Sequence, residues 1–196
     1  MIEGQFYHIY NRGNNREDIF LEEKNYMYFL QKFDKYLGDK VSIYSYCLMP
    51  NHFHFLIKIN EGLNLSAKNN SGLTILEKSF KNFFISYAKS VNKKYKRTGS
   101  LFQYKFKRKL VDDYGYLTAL ISYIHQNPIR AQLCDKEEDW KFSSYKDITE
   151  NIEKRLDIKI RIKEVLELFD GLSGFHEYNS NYKDYIKTRD FLFNAW

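Results

Sequence analysis

His52 and His54 stand in the stretch Tyr46-Cys47-Leu48-Met49-Pro50-Asn51-His52-Phe53-His54-Phe55-Leu56-Ile57-Lys58. Its alternation, rich in aromatic and β-branched residues, reads as a strand. Residues two apart on a strand share a face. The two imidazoles therefore project side by side, and Phe53 and Phe55 turn to the other face, into a core. Two neutral imidazoles on one rigid strand are half of a divalent-metal site. The pattern is short, and a pair of hydrogen-bonded surface histidines would read the same way. A second constellation is Tyr123-Ile124-His125-Gln126-Asn127. On a helix, Tyr123 and Asn127 lie one turn apart on one face; Gln126 also reaches that face and His125 points elsewhere. A tyrosine phenol can attack a phosphodiester and hold the strand end covalently. The charge that builds on the phosphoryl oxygens calls for a divalent metal as Lewis acid. Two histidines leave that metal's shell incomplete, and a third ligand on the nucleophile's own helix ties metal and nucleophile together. Tyr123 with Asn127 supplies this arrangement. Tyr114 and Tyr116 are followed four positions later by Thr118 and Leu120, neither of them a ligand.

The elements that must position these residues are legible in outline. Gln5 to Gly13 reads as a first strand, ended by Gly13 and the Asn14-Asn15 turn. His8 shares a face with Phe6 and Tyr10 and reads as a histidine at the core edge, in preference to a partner behind a metal site. Glu22 to Leu37 is a helix with Tyr26, Phe29, Leu30, Phe33 and Leu37 as its core stripe and Gly38 as its cap. Val41 to Leu48 forms a hairpin with the histidine strand through Met49-Pro50-Asn51. A polar loop, Asn60 to Gly72, leads to Thr74-Ile75-Leu76-Glu77, which has capping-box spacing. The helix it opens is apolar on one face and carries Lys78, Lys81, Lys89 and Lys93 on the other. Leu101 to Val111 reads as a fourth strand, with Phe102, Tyr104 and Phe106 alternating against Gln103, Lys105 and Lys107.

The order β-α-β-β-α-β predicts an α+β, ferredoxin-like antiparallel sheet with the histidines mid-sheet. An added helix, capped by Asp112 or Asp113 and ending near Pro128, carries Tyr123. Residues 1–134 are expected to form the chemistry-bearing domain, and residues 135–196 a helical extension packed on it. In that extension Trp140 to Tyr145 is a docking segment, and Arg161 to Phe169 and Tyr182 to Phe193 are short helices.

The chain has 196 residues, room for one domain with a sizeable core. No apolar run approaches the length of a transmembrane helix, and Met1-Ile2-Glu3-Gly4 does not open a signal segment. Cys47 and Cys134 form no CxxC pair, which argues against a disulfide framework or a cysteine zinc site and for a reducing cytoplasm. The net charge of +6 is unevenly spread: Lys78 through Lys109 holds eleven Lys or Arg and no Asp or Glu. Tyr87, Tyr95, Phe102, Tyr104 and Phe106 are interleaved. Cations suit phosphates and ring faces suit unpaired bases. A solvated basic face over an aromatic core would have the same composition. From this stretch Lys93, Lys94, Arg97, Gln103, Lys105, Lys107, Arg108 and Lys109 are assigned to nucleic acid. Arg12 and Arg16, at the end of the first strand, and Arg130 join them.

Together these parts resemble a known family. His52-Phe53-His54 looks like the histidine-hydrophobic-histidine (HUH) motif of single-tyrosine nucleases and transposases. Within that superfamily the chain resembles the IS200-like transposases, most closely the REP-associated tyrosine transposases. The matching stretches are Tyr7 to Gly13, Tyr46 to His54, Gly99-Ser100-Leu101-Phe102-Gln103 and Tyr123-Ile124-His125-Gln126-Asn127-Pro128-Ile129-Arg130-Ala131, over roughly the first two-thirds of the chain. The resemblance implies cutting and rejoining of single-stranded DNA at or near imperfect hairpins, with Mg²⁺ or Mn²⁺. It implies a tyrosine linked to a 5′-phosphate and a free 3′-hydroxyl. Carried over residue by residue, His52 and His54 are metal ligands, Tyr123 the nucleophile and Asn127 the third ligand. Wider relatives use Gln or an acid as that ligand, which keeps Gln126 open. A cytoplasmic, nucleoid-associated monomer or homodimer, with no membrane partner, is expected. The alternative is a non-catalytic hairpin DNA- or RNA-binding protein on the same fold, which would not need His52, His54 and Tyr123 together. Hydrolysis by water, with Tyr123 a bystander, would leave no covalent adduct.

Overall fold

The structure, a computed structural model, describes residues 1–152 and 158–186. β1 (Phe6–Arg12), α1 (Glu23–Leu37), β2 (Val41–Met49), β3 (His52–Ile59), α2 (Ile75–Lys94) and β4 (Lys107–Val111) follow the order read from the sequence. The strands make one antiparallel sheet in the order β2-β3-β1-β4. This is the ferredoxin-like α+β arrangement, with β1 and β3 as the central strands.

One face of the sheet is built from phenylalanine. Phe53 and Phe55 of β3 meet α1 and α2: Phe33 stacks on Phe55 at 4.5 Å, and Phe29 lies 5.1 Å from Phe53 and 4.8 Å from Phe83. Each such side chain contributes about 1.5–3 kcal/mol by leaving water, so this layer fixes which face of β3 points inward. Both helices start at reciprocal capping boxes, Glu22 with Asn25 and Thr74 with Glu77.

α3 (Tyr114–Arg130) covers the opposite face of the sheet. Asp113 caps it, accepting the Tyr116 N–H at 2.7 Å. The helix ends at Arg130, two residues past Pro128 and close to the expected end. Its last turn continues because the Ala131 N–H donates to the Asn127 carbonyl and the Leu133 N–H to that of Pro128, both at 2.9 Å. The extra residues bring Arg130 back over its own helix.

The fourth strand is also shorter than expected. Phe102 bridges Gly13, the chain then bulges, and regular pairing resumes only at Lys107. Lys105 has a φ of +67° inside the bulge, which breaks the alternation, and Tyr104 leaves the aromatic row for solvent. Phe102 and Phe106 stay packed against Phe84.

The segment after α3 closes the free edge of β2. Leu48 N–H donates to the Phe142 carbonyl at 2.9 Å, Ser144 N–H to that of Tyr46 at 3.0 Å, and the Trp140 indole to that of Leu48 at 2.9 Å. Ile160 adds a parallel bridge to Ile43. An exposed strand edge is a template for association, and this one is covered. Three helices follow the docking segment: α4 (Tyr145–Thr149), α5 (Ile162–Glu167) and α6 (Leu172–Ile186). The expected helix at Arg161 to Phe169 corresponds to α5. The one expected from Tyr182 begins earlier, at Leu172, and its residues 187–193 lie outside the described residues. Among the described residues no helix is long and apolar enough to cross a membrane.

Gly13 stands where β1, the β2–β3 turn and the bulge converge. Its N–H donates to the Asn51 carbonyl at 2.8 Å, and a Cβ there would come within 1.9 Å of the Glu17 carbonyl oxygen. Gly13→Ala is expected to cost about 1–3 kcal/mol of stability. Urea denaturation reads this as a lowered midpoint; an unchanged midpoint would mean the turn has room the packing denies.

Candidate active site

The face of the sheet toward α3 carries His8, Tyr10 and Arg12 from β1, His52 and His54 from β3, and Lys107 and Lys109 from β4. The register pairs Tyr10 with His54, Arg12 with His52, His8 with Lys109 and Tyr10 with Lys107. The rings of His52 and His54 lie 5.4 Å apart and nearly perpendicular. Against expectation, His8 is not an isolated core-edge histidine. Its Nε2 lies 2.9 Å from His54 Nδ1 in a buried hydrogen bond, and the two rings stack at 5.1 Å. His52 Nδ1 lies 2.6 Å from Asn51 Oδ1. An amide oxygen only accepts, so His52 Nδ1 carries the proton and Nε2 keeps its lone pair. The same tautomer at His54 makes its Nδ1 the donor to His8.

Burial keeps these rings uncharged. His52 is lowered to about 4 by desolvation and then by Arg12. His8 is lowered to about 3 by desolvation and then by Lys109. His54 falls well below the usual imidazole range, through burial first and its two histidine neighbours next.

α3 sets its residues over this row. The Tyr123 ring stands edge-on to His54 at 5.6 Å and lies 6.4 Å from His8, and the Arg130 guanidinium carbon sits 5.6 Å from the Tyr123 ring centre. Asn127 Nδ2 donates to the Tyr123 carbonyl at 2.8 Å, which leaves Oδ1 as the ligand-type atom. The Gln126 amide donates to Glu137, toward the turn that follows the helix. Tyr114 is exposed and donates to the Leu168 carbonyl at 2.7 Å. Tyr116 is buried, with Lys109 4.8 Å from its ring. Burial, then Tyr10 and Tyr123, raise its pKa, so the three phenols are near neighbours. His125 faces the other way, its Nε2 2.8 Å from Ser144 Oγ.

The basic residues divide. Arg12, Lys107, Lys109 and Arg130 surround the histidine face. Burial and then the Arg16 guanidinium lower the Arg12 pKa, which places the two guanidiniums near each other. Gln103 joins this end of the sheet through its N–H, which donates to the Arg12 carbonyl at 2.9 Å. Lys105 lies in the bulge. Arg108 points to the opposite side of β4, 4.0 Å from Glu77. Lys94 is ion-paired with Glu22 and Arg97 with Glu17, both away from the histidines, and Lys93 is exposed on α2. Sequence reasoning missed Asn51, Tyr10 and Tyr116 as members of the site. Asn51 adjoins His52, and Tyr10 and Tyr116 lie two residues from His8 and seven from Tyr123, spacings that share a face.

Among solved structures, the chain is similar to a REP-associated tyrosine transposase bound to a REP hairpin. The TM-score is 0.60 at 15% identity, over 82% of this chain and 88% of that one. A bacterial tRNA(His) guanylyltransferase-like protein in complex with GTP overlaps at a TM-score of only 0.40 and 11% identity, over 68% of this chain and 69% of that one. No match is found among curated proteins. The family model described as "Transposase IS200 like" matches residues 2–127, from ahead of β1 through Asn127, and the chain belongs to that family.

Proposed function

We propose that this transposase-family chain cuts and rejoins single-stranded DNA at hairpins, through a Tyr123–5′-phosphate intermediate and with a divalent metal, Mg²⁺ or Mn²⁺. The observation that carries this reading is the packing of Tyr123 edge-on to His54 at 5.6 Å, which joins the phenol of α3 to the histidine pair of β3. The hairpin part is supported by the fold neighbour, which was solved with one bound.

The donor set fits such a metal. Among the described residues no three of His, Cys, Asp and Glu are grouped as ligands; in our reading His52 and His54 would hold the metal, with the Asn127 amide oxygen on α3 as the third ligand. Burial disfavours the charged form of both imidazoles, and the Asn51 and His8 contacts engage Nδ1 on each, so coordination would fall to Nε2. Gln126 is the weaker choice of third ligand because its amide is drawn to Glu137. When bound, the metal supplies Lewis-acid stabilisation of charge on the phosphoryl oxygens.

The chain's own residues do the rest. Tyr123 Oη forms the new O–P bond as the bond to the 3′-oxygen breaks, and the phenolic proton ends on that oxygen as the 3′-hydroxyl. Attack by a second 3′-hydroxyl reverses the step and rejoins the strand. Arg130 lies beside the phenol and its charge favours the phosphate's approach. Tyr123 is only 5% exposed, so the reaction requires the phosphate to reach a largely covered phenol. Residues 1–134 carry this chemistry in our reading, and 135–196 form a C-terminal extension whose described part meets α3 through Ser144 and α6; the enzyme works in the cytoplasm, at the nucleoid.

Three outcomes test this. With Mn²⁺ and a labelled hairpin oligonucleotide from DNA flanking its own gene, a denaturing gel should reveal a covalent protein–DNA band. The band should vanish in Tyr123→Phe while DNA binding persists; an adduct that survives moves the nucleophile elsewhere. Mn²⁺ titration followed by paramagnetic resonance should find affinity lost in His52→Ala, and weakened roughly 10- to 100-fold in His8→Leu. Equal affinity in the His8 variant would remove it from the site. Neutralising Lys107 and Lys109 should flatten the salt dependence of single-strand binding by about 0.7 in slope per lost phosphate contact, and an unaltered slope puts the DNA on another surface.

A further inference from the structure

Between the Gly13–Phe102 bridge and the Tyr10–Lys107 pair, the chain takes five residue steps where β1 takes three. Bulges of this kind re-aim side chains beside functional sites. Here the surplus pushes Tyr104 into solvent at 90% exposure, with Lys105 Nζ 5.4 Å from its ring centre. Phe106 returns to the core against Phe80 at 4.9 Å. Between the bulge and α2 this leaves a cleft of about 290 Å³, with Asn11, Phe84, Phe102 and Phe106 among its walls.

Gln103 also lines the cleft, with its main chain fixed on both sides. Its N–H donates to the Arg12 carbonyl at 2.9 Å, and its carbonyl accepts from Asn11 Nδ2 at 3.4 Å. Its half-buried side-chain amide takes no hydrogen bond among the described residues. The cleft therefore combines an apolar aromatic lining, one rigidly carried donor–acceptor group, a bare aromatic ring and a cation. Its volume is at the small end of ligand pockets, which run roughly 300–1,000 Å³, so it admits one planar ring rather than a base pair.

We propose that this cleft takes a single unpaired base of the DNA strand, with Tyr104 stacking on the base and Gln103 reading its edge. An aromatic face accepts any base, and a side-chain amide distinguishes donor from acceptor on the base edge. The location gives the contact a consequence. Asn11 and Arg12 are neighbours on β1 that face opposite sides of the sheet, Asn11 toward the cleft and Arg12 across from His52. A strand with one base held here runs its adjoining phosphates past Arg12 to the histidine face, so the captured base sets which phosphate is presented. This inference rests on the single-stranded DNA reading above and adds the subsite that makes cleavage position-specific.

The test is a coupling experiment in EDTA, so that nothing is cut. The probe is a fluorescein-labelled hairpin oligonucleotide with single-stranded flanks, taken from DNA beside the protein's own gene, together with a series carrying one abasic site each. For the unaltered chain, one position should stand out, its loss weakening binding roughly 5- to 100-fold, the range of a base–aromatic stack. In Tyr104→Ala, a change at a fully exposed ring that leaves the core alone, binding should drop by a similar factor and the abasic penalty at that position should disappear. In Gln103→Ala the abasic penalty should persist while the preference among the four bases at that position is lost. Penalties that simply multiply in Tyr104→Ala, or an abasic series with no distinguished position, overturn the base pocket while leaving DNA binding intact. Absence of DNA binding by the unaltered chain would instead overturn the reading on which the pocket rests.

Discussion

The register between β1 and β3 is the constraint on which the rest of the molecule depends. Pairing Tyr10 with His54 and Arg12 with His52 brings His8 within hydrogen-bonding reach of His54 and sets a cation across from His52. The side-chain period of a strand is two, so a slip of one residue would turn each of these groups to the other face. What prevents the slip is on that other face. Phe53 and Phe55 interlock with Phe29 and Phe33, and exposing even two such rings would cost several times the roughly 1 kcal/mol net of the single imidazole hydrogen bond. The functional face is thus aligned by the energy of the opposite one.

The second requirement is that α3 hold still above that row. Its helix is apolar on the sheet side, but apolar packing alone leaves a helix free to slide. Polar contacts on its far side limit this. His125 meets Ser144, and Ser144 also accepts the Tyr46 N–H at 2.9 Å. One serine hydroxyl therefore ties α3 to β2, and the tail that carries it is itself paired along the β2 edge. A buried polar group without its partner costs about 1–3 kcal/mol, so sliding α3 by a turn would be opposed by this contact as well as by lost packing. The described part of the tail thus bears on where α3, and with it Tyr123, sits.

The sequence made the fold legible, and with it the candidate residues that the fold brings together, because alternation, helical stripes and caps are local signals. The histidine pair, the Tyr123–Asn127 spacing and the ferredoxin-like order all came from such signals. Two of the features that escaped it did so for a clear physical reason. His8 could not be connected to His54 because their contact depends on strand register across 46 residues. The bulge at 103–106 was hidden because Phe102, Tyr104 and Phe106 have the period of an unbroken strand, while the real chain puts only two of those rings inside.

The electrostatics of the site reconcile two opposed demands. On the proposed function a polyanion must be attracted, which calls for cations, while imidazoles that would hold a metal must stay neutral to keep their lone pairs. The structure separates the two by depth. Arg130, Lys107 and Lys109 lie exposed at the rim, and Arg12 is only partly covered. His8 and His54 lie beneath, fully covered, with His52 partly so. The rim charges also push the interior the right way, since Arg12 and Lys109 disfavour a proton on His52 and His8 respectively. Positive charge near the histidines therefore serves both purposes at once, drawing phosphate toward the face and holding the ligands in their binding form. An acidic residue in place of either cation would weaken the first effect and reverse the second, so basic residues around this histidine row are required by the chemistry of the row itself.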